Sequence, residues 1–216
     1  MIRKSFIEIQ IEMFIAALAR IILQKERAEY QGAAKEIQQT SRKVAGLDVT
    51  VLASMPESSL LAQFTDERSF DAGRCLVIGC LMQEQAEIDE INGQANRAET
   101  LQQKATLLLL EALLREPNLR TAAYMARLET LMSQVVYQDL PALTQQKLAA
   151  YLELQGSYAR AEDVLYALRE NGYPQWVTEA NAFYSRLLAC SDDALIAGGL
   201  TRNEIEEALE EVPSAD

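Results

Sequence analysis

Between Leu143 and Cys190 apolar residues recur every three or four positions, stop at Gly156-Ser157, and resume as far as Asn171-Gly172. A period near 3.6 gathers such residues on one face of a helix. The stretch therefore reads as two amphipathic helices joined by a tight turn, followed by Pro174. A helix with one apolar stripe has to bury it against another element. The chain is accordingly expected to be all-α, built from packed antiparallel helical hairpins.

The rest of the chain repeats this grammar. From Ser5 to Arg27, Ile7, Ile11, Phe14, Leu18, Ile21 and Ile22 follow helical spacing, and Ile9, Met13 and Ile15 widen the stripe past half the circumference. A helix this apolar is buried on more than one side. Either it lies at the centre of the fold or it packs on a second copy, and a homodimer would use Ile7, Ile11, Phe14 and Leu18. A second helix, Tyr30 to Val44, stops at Gly46. Residues 47–68 read as an irregular connection. Val49, Val51 and Leu52 resemble a strand too short to stand and without a pairing partner. Ser54-Met55-Pro56-Glu57 reads as a capping box opening a short helix through Phe64.

A longer helix is expected from Phe70 to Ile91 with Ser69 as its N-cap. Cys75 to Met82 is nearly all apolar and Glu84 to Ile91 is acidic, so this helix is expected to start buried and end in water. Glu84, Glu87 and Glu90 form a ridge on which like charges repel, as on a solvated face. Further helices are expected over Arg97–Arg115, Leu119–Gln138 and Trp176–Ala189. Gly198-Gly199 reads as a hinge. Thr201 and Glu204 form a capping box, with Leu200 and Ile205 as a hydrophobic staple, for a last helix ending at Val212-Pro213. Ser214–Asp216 reads as a loose tail. The expected organisation is one helical domain over residues 1–216. It comprises an N-terminal hairpin (1–46), the connection (47–68), repeat-like helices (69–190) and a C-terminal helix (200–213).

Several functions are disfavoured. The formal net charge of −12 opposes binding to nucleic acid or to an anionic membrane surface. Glu8, Gln10, Glu12 and Arg20 interrupt the first apolar stretch, against a signal peptide or a membrane span. Three cysteines without regular spacing do not make a disulfide framework. Cys75 and Cys80 point about 140° apart on one helix, so they do not share a metal. A reducing cytoplasm is expected. Histidine is absent, which removes Ser-His-Asp and Cys-His catalysis and the His-based metal motifs. No nucleotide-binding glycine loop occurs. No cofactor or metal is expected, and the chain reads as non-enzymatic.

Gly156, Tyr158, Ala161, Leu165 and Leu168 sit where a tetratricopeptide repeat carries its turn glycine, aromatic, small contact residue and later packing positions. Ala28, Tyr30, Ala33 and Ile37 echo that spacing, and Gly93, Ala95, Ala98 and Ala105 echo it more weakly. Ala33, Ala98 and Ala161 lie 65 and 63 residues apart, close to two periods of about 34 residues. The hairpins are thus expected to stack in a tetratricopeptide-like compact bundle or short solenoid. The Met1-Ile2-Arg3 start, the long apolar first helix, the Gly46-Leu47-Asp48 segment and the capped short helix after it resemble an uncharacterised family of bacterial tetratricopeptide-like proteins. The resemblance covers most of the first 115 residues, and it implies a fold without an activity.

Tetratricopeptide-like proteins generally bind peptides or proteins, so the leading expectation is a protein- or peptide-interaction module. Its groove would be lined by Gln146, Ala150 and Glu153 on one helix and Tyr184 on a later one. Ala150 leaves room for a partner's chain, and Gln146 and Glu153 offer hydrogen bonds. The alternative for Tyr184 is core, with Gln146 and Glu153 merely facing water. The second functional expectation is a helical bundle that binds a small apolar or peptide-like ligand in a C-terminal cleft.

Overall fold

The computed structural model describes residues 6–66 and 69–213, with side chains described from Phe14 onward. Ile7 and Ile11 therefore lie outside the described side chains, and the expected tail Ser214–Asp216 lies outside the described residues. The described residues form helices and no β-strand, with one isolated antiparallel bridge between Thr65 and Phe70. The chain divides into two compact units, residues 1–135 and 136–216, with the boundary inside the stretch read from sequence as continuous.

Unit 1 carries α1 (Phe6–Glu26), α2 (Tyr30–Ala45), α3 (Val49–Ala53), α4 (Glu57–Ala62), α5 (Ala72–Ile91), α6 (Ala95–Arg115) and α7 (Ala122–Gln134). Its centre is the α5–α6 hairpin, and α1, α2 and α3 also pack on α5. Fourteen of the twenty residues of α5 are buried, more than one stripe can supply, so α5 is wrapped rather than laid on a surface. The two helices approach closely at Gly79. A Cβ there would stand 2.4 Å from Leu109 Cδ1 and 3.1 Å from Leu108 Cβ.

Three local expectations are corrected in this unit. The segment 49–53 is helical, so Ser54 terminates α3 and its hydroxyl donates to the Val51 carbonyl (2.7 Å) rather than capping α4. Pro56 precedes α4 without a side-chain cap. Ser69 is held in the preceding loop by Asp66, whose Oδ1 accepts from the Ser69 N–H (2.8 Å). The cap of α5 is Asp71, which accepts from the Arg74 N–H (2.9 Å).

Unit 2 carries α8 (Ala142–Leu154), α9 (Tyr158–Glu170), α10 (Trp176–Leu188), α11 (Asp192–Ala197) and α12 (Arg202–Glu211). α8 packs on α9, α9 on α10, and α10 on α12. The Thr201–Glu204 capping box forms with both of its bonds, and Leu200 and Ile205 are buried beside it. Gly198 does not act as an open hinge. A Cβ there would lie 2.2 Å from Tyr158 Cδ2 and 2.6 Å from the Gly156 carbonyl oxygen, and the Gly198 carbonyl accepts from the Ala159 N–H (3.0 Å). The start of α10 is fixed by Trp176, 7% exposed, with the Arg169 guanidinium 4.9 Å from its ring centroid.

The three sequence echoes coincide with three hairpin turns of one geometry. Ala28, Gly93 and Gly156 are all left-handed, with φ of 58°, 72° and 72°. In each turn that residue's N–H bonds the carbonyl three residues back, and the next N–H bonds the carbonyl five residues back, at 2.8–2.9 Å throughout. Ala33, Ala98 and Ala161, five residues beyond each turn, are all at most 1% exposed. The spacing therefore encodes a hairpin in which a small residue lets the second helix approach the first.

Candidate functional site

The acidic second half of α5 is buried or half-buried as far as Asp89, contrary to the solvated ridge expected from its sequence. Only its last two residues, Glu90 and Ile91, reach water as expected. Glu84 and Asp89 are each 2% exposed, and Gln83 and Gln85 are 3% exposed. A carboxylate tolerates this only when its charge is compensated. Glu84 is bracketed on both sides. Its Oε2 accepts from Lys25 Nζ of α1 (2.5 Å) and its Oε1 from Arg127 Nη1 of α7 (2.8 Å). Lys25 also bonds Glu87, and Arg127 also donates to Gln83 Oε1 (3.0 Å). Burial pulls the Lys25 ammonium down, but its bonds to Glu84 and Glu87 more than offset this and raise it above the ordinary lysine value. Of the ridge only Glu90 is exposed, and its Oε1 accepts from Gln102 Nε2 (2.6 Å).

On the same half of α5, Gln85 and Asp89 reach an open cleft of about 760 Å³. One wall is the α1–α2 turn and the start of α2, with Glu29, Tyr30, Gln31 and Gln38. The other is the end of α5 and the α5–α6 turn, with Gln85, Asp89, Asn92, Gln94 and Arg97. Five primary amides thus face the space, and each offers both a donor and an acceptor. At its base Asp89 Oδ1 accepts from Gln85 Nε2 (2.8 Å). Arg97 Nε stands 2.8 Å from Asp89 Oδ2, while Arg97 Nη1 donates to Gln94 Oε1 (3.0 Å). The two walls meet through the Ala28 and Gly93 turns, and Ala28 holds its left-handed conformation at the rim without glycine's freedom.

The residues nominated from sequence fall in other places. Gln146, Ala150 and Glu153 do come together, around a hollow of only about 50 Å³ in unit 2 that is also lined by Glu179, Phe183 and Arg186. Glu153 receives a bidentate pair from Arg186 (2.7 and 2.8 Å), and Gln146 bonds the Tyr173 hydroxyl. Tyr184 does not join them. It is 2% exposed, stacks edge-on with Phe183, and donates to Glu162 Oε1 (2.8 Å). Its placement in the core is a correction to the groove reading. In α1, Phe14 is likewise core at 2% exposure and Leu18 is half-buried, whereas Ile15 (53%) and Leu23 (44%) carry the exposed apolar surface. The surplus stripe exists, but Phe14 is not on it.

Reading the sequence missed the cleft. The available signal was the pairing of the Ala28 echo with the Gly93 echo, because two equal turns in one unit can stand side by side. Among the described residues no group of three or more His, Cys, Asp or Glu is arranged to hold a metal ion, and no helix is long and apolar enough to cross a membrane.

A helical-hairpin scaffold with a polar, amide-lined cleft defines a class of architecture rather than a reaction. The chain belongs to a family of unknown function, DUF6483, whose model matches residues 1–215. Comparison with curated proteins and with solved structures finds no match.

Proposed function

We propose that this chain is a non-enzymatic, cytoplasmic interaction module of the tetratricopeptide-like kind, and that the unit 1 cleft receives an extended peptide segment of a partner protein. The cleft itself carries this reading: an open space of about 760 Å³ with five primary amides on two facing walls. An extended backbone exposes alternating N–H and C=O groups, which such amides match in pairs. The buried carboxylate nearby does not favour a general base, since both oxygens of Glu84 are already bonded to cations. The reading in which a small ligand sits in a C-terminal cleft has less support. Ligand pockets run to roughly 300–1,000 Å³, and the hollow at Gln146 and Glu153 is about 50 Å³.

The test is selection of random dodecapeptides on the full chain, with selected peptides remeasured on Gln31→Trp and Gln38→Trp. Both positions are exposed on the cleft wall, so the variants are expected to fold while losing at least tenfold in affinity. Selected peptides that bind both variants like the parent chain would place the recognition surface elsewhere.

A further inference from the structure

We propose that the unit 1 cleft takes the guanidinium of an arginine side chain on the bound segment at Asp89, in the place that Arg97 fills in the free chain. This rests on the peptide reading above and adds the residue type that the cleft reads.

The sign of the cleft comes from its side chains. Each hairpin turn brings the C-terminus of one helix beside the N-terminus of the next, so the end dipoles offset one another. The remaining charges on the walls are Glu29 and Asp89 against Arg97. With Arg97 turned away, two carboxylates face the space and no cation does. The net charge of −12 steers a basic segment towards the protein before it reaches the cleft.

The position of Arg97 is that of an occupant rather than a strut. Asp89 is 2% exposed while the Arg97 side chain is 49% exposed, so the acceptor is fixed and the donor is loose. Nε lies 2.8 Å from Asp89 Oδ2, yet that oxygen carries no hydrogen bond, because the approach is off the bonding direction. The tether of Nη1 to Gln94 Oε1 holds the group in this skewed pose. A guanidinium entering from the cleft is free of that tether. It can align two N–H groups on the carboxylate, the bidentate geometry in which Arg pairs best. Arg97 has somewhere to go, since it also lines a neighbouring cleft of about 370 Å³ with Thr50, Ser54 and Thr100.

The probes are two heptapeptides, acetyl-Gly-Ser-Ala-Arg-Ala-Ser-Gly-amide and the same sequence with citrulline, which keeps the shape of arginine but not its charge. Each is titrated into the isotope-labelled full chain, and the backbone amides of residues 28–34 and 88–97 are followed by NMR. The arginine peptide is expected to bind at least tenfold more tightly than the citrulline peptide. Arg97→Ala is expected to tighten the arginine peptide several-fold, and Asp89→Asn to erase the preference. The citrulline pair and Arg97→Ala decide the matter even if Asp89→Asn does not fold. Weaker binding to Arg97→Ala would make Arg97 part of the receptor and overturn the proposal. Equal binding of both peptides at the cleft would overturn it too, while leaving the peptide reading intact. If neither peptide shifts these amides the inference falls, and the dodecapeptide selection still judges the peptide reading separately.

Discussion

The α5–α6 hairpin of unit 1 and the α8–α9 hairpin of unit 2 share one turn geometry and differ in almost everything the turn does not control. Gly93 and Gly156 both have φ of 72°, and Ala98 and Ala161 are buried alike. Yet fourteen of twenty residues of α5 are buried, against five of thirteen in α9. A hairpin motif fixes how two helices meet, whereas neighbouring elements set how deep they lie. In α5 that depth extends to charged residues, because Lys25 and Arg127 arrive from α1 and α7 to compensate them.

The largest test of this contrast is Glu84→Gln. Removing one partner of a buried ion pair costs roughly 3–5 kcal/mol because the remaining charges are left uncompensated. Thermal or urea unfolding is expected to show a loss near the lower end, since the Lys25 and Arg127 side chains are 14% and 19% exposed. A change below about 1 kcal/mol, the worth of an ordinary surface pair, would mean that the depth of α5 does not matter for its charges.

In unit 2 the corresponding pressure point is Gly198, which is limited by space rather than charge. Gly198→Ala puts a methyl group against a ring and a backbone carbonyl, and forced overpacking costs about 1–3 kcal/mol. The upper half of that range is expected, because the Gly156 carbonyl cannot rotate away as a side-chain end would. An unaltered melting curve would restore the hinge reading.

The turns themselves predict opposite signs. Gly156→Ala is expected to destabilise by about 1 kcal/mol, as left-handed backbone disfavours a Cβ. Ala28→Gly relieves that strain in the first hairpin but adds freedom to the unfolded chain, so a net gain of about 0.5 kcal/mol is expected. Equal signs would break the equivalence of the two turns.

The smallest effect is chemical. Burial pushes the Cys80 thiol up to about 12 and the Cys75 thiol well above its usual value, whereas Cys190 in unit 2 is only half-buried. Iodoacetamide at pH 8 is expected to modify Cys190 in the native chain and to reach Cys75 and Cys80 only after denaturation, as read by peptide mass mapping. Early labelling of either α5 thiol would show that this helix opens locally.

Local features were legible in the sequence, and distant compensation was not. Helical period, the stop at Gly46, the Thr201–Glu204 box and the echo of Ala28, Gly93 and Gly156 depend on residues within one turn or two of each other. The burial of Glu84 depends on Lys25 and Arg127, 59 and 43 residues away. Judged alone, three glutamates at helical spacing repel, which is why the ridge reads as solvated. Tyr184 shows the same limit from the other side. Its spacing permits either core or groove, and the Glu162 carboxylate on α9 is what makes a buried hydroxyl tolerable. The cleft needed two turns to be placed side by side, which no single segment encodes.

Trp176 has a consequence for how this protein can be watched. It is the chain's one tryptophan, and it lies in unit 2 beneath the Arg169 guanidinium. Indole emission excited at the red edge therefore reports the melting of residues 136–216 and is blind to the helices of unit 1. Far-ultraviolet dichroism weighs every helix by its length, so unit 1 dominates that signal. Recording both signals across one denaturant series separates the two units without a label or a truncation, and divergence of the curves measures the cooperativity between them.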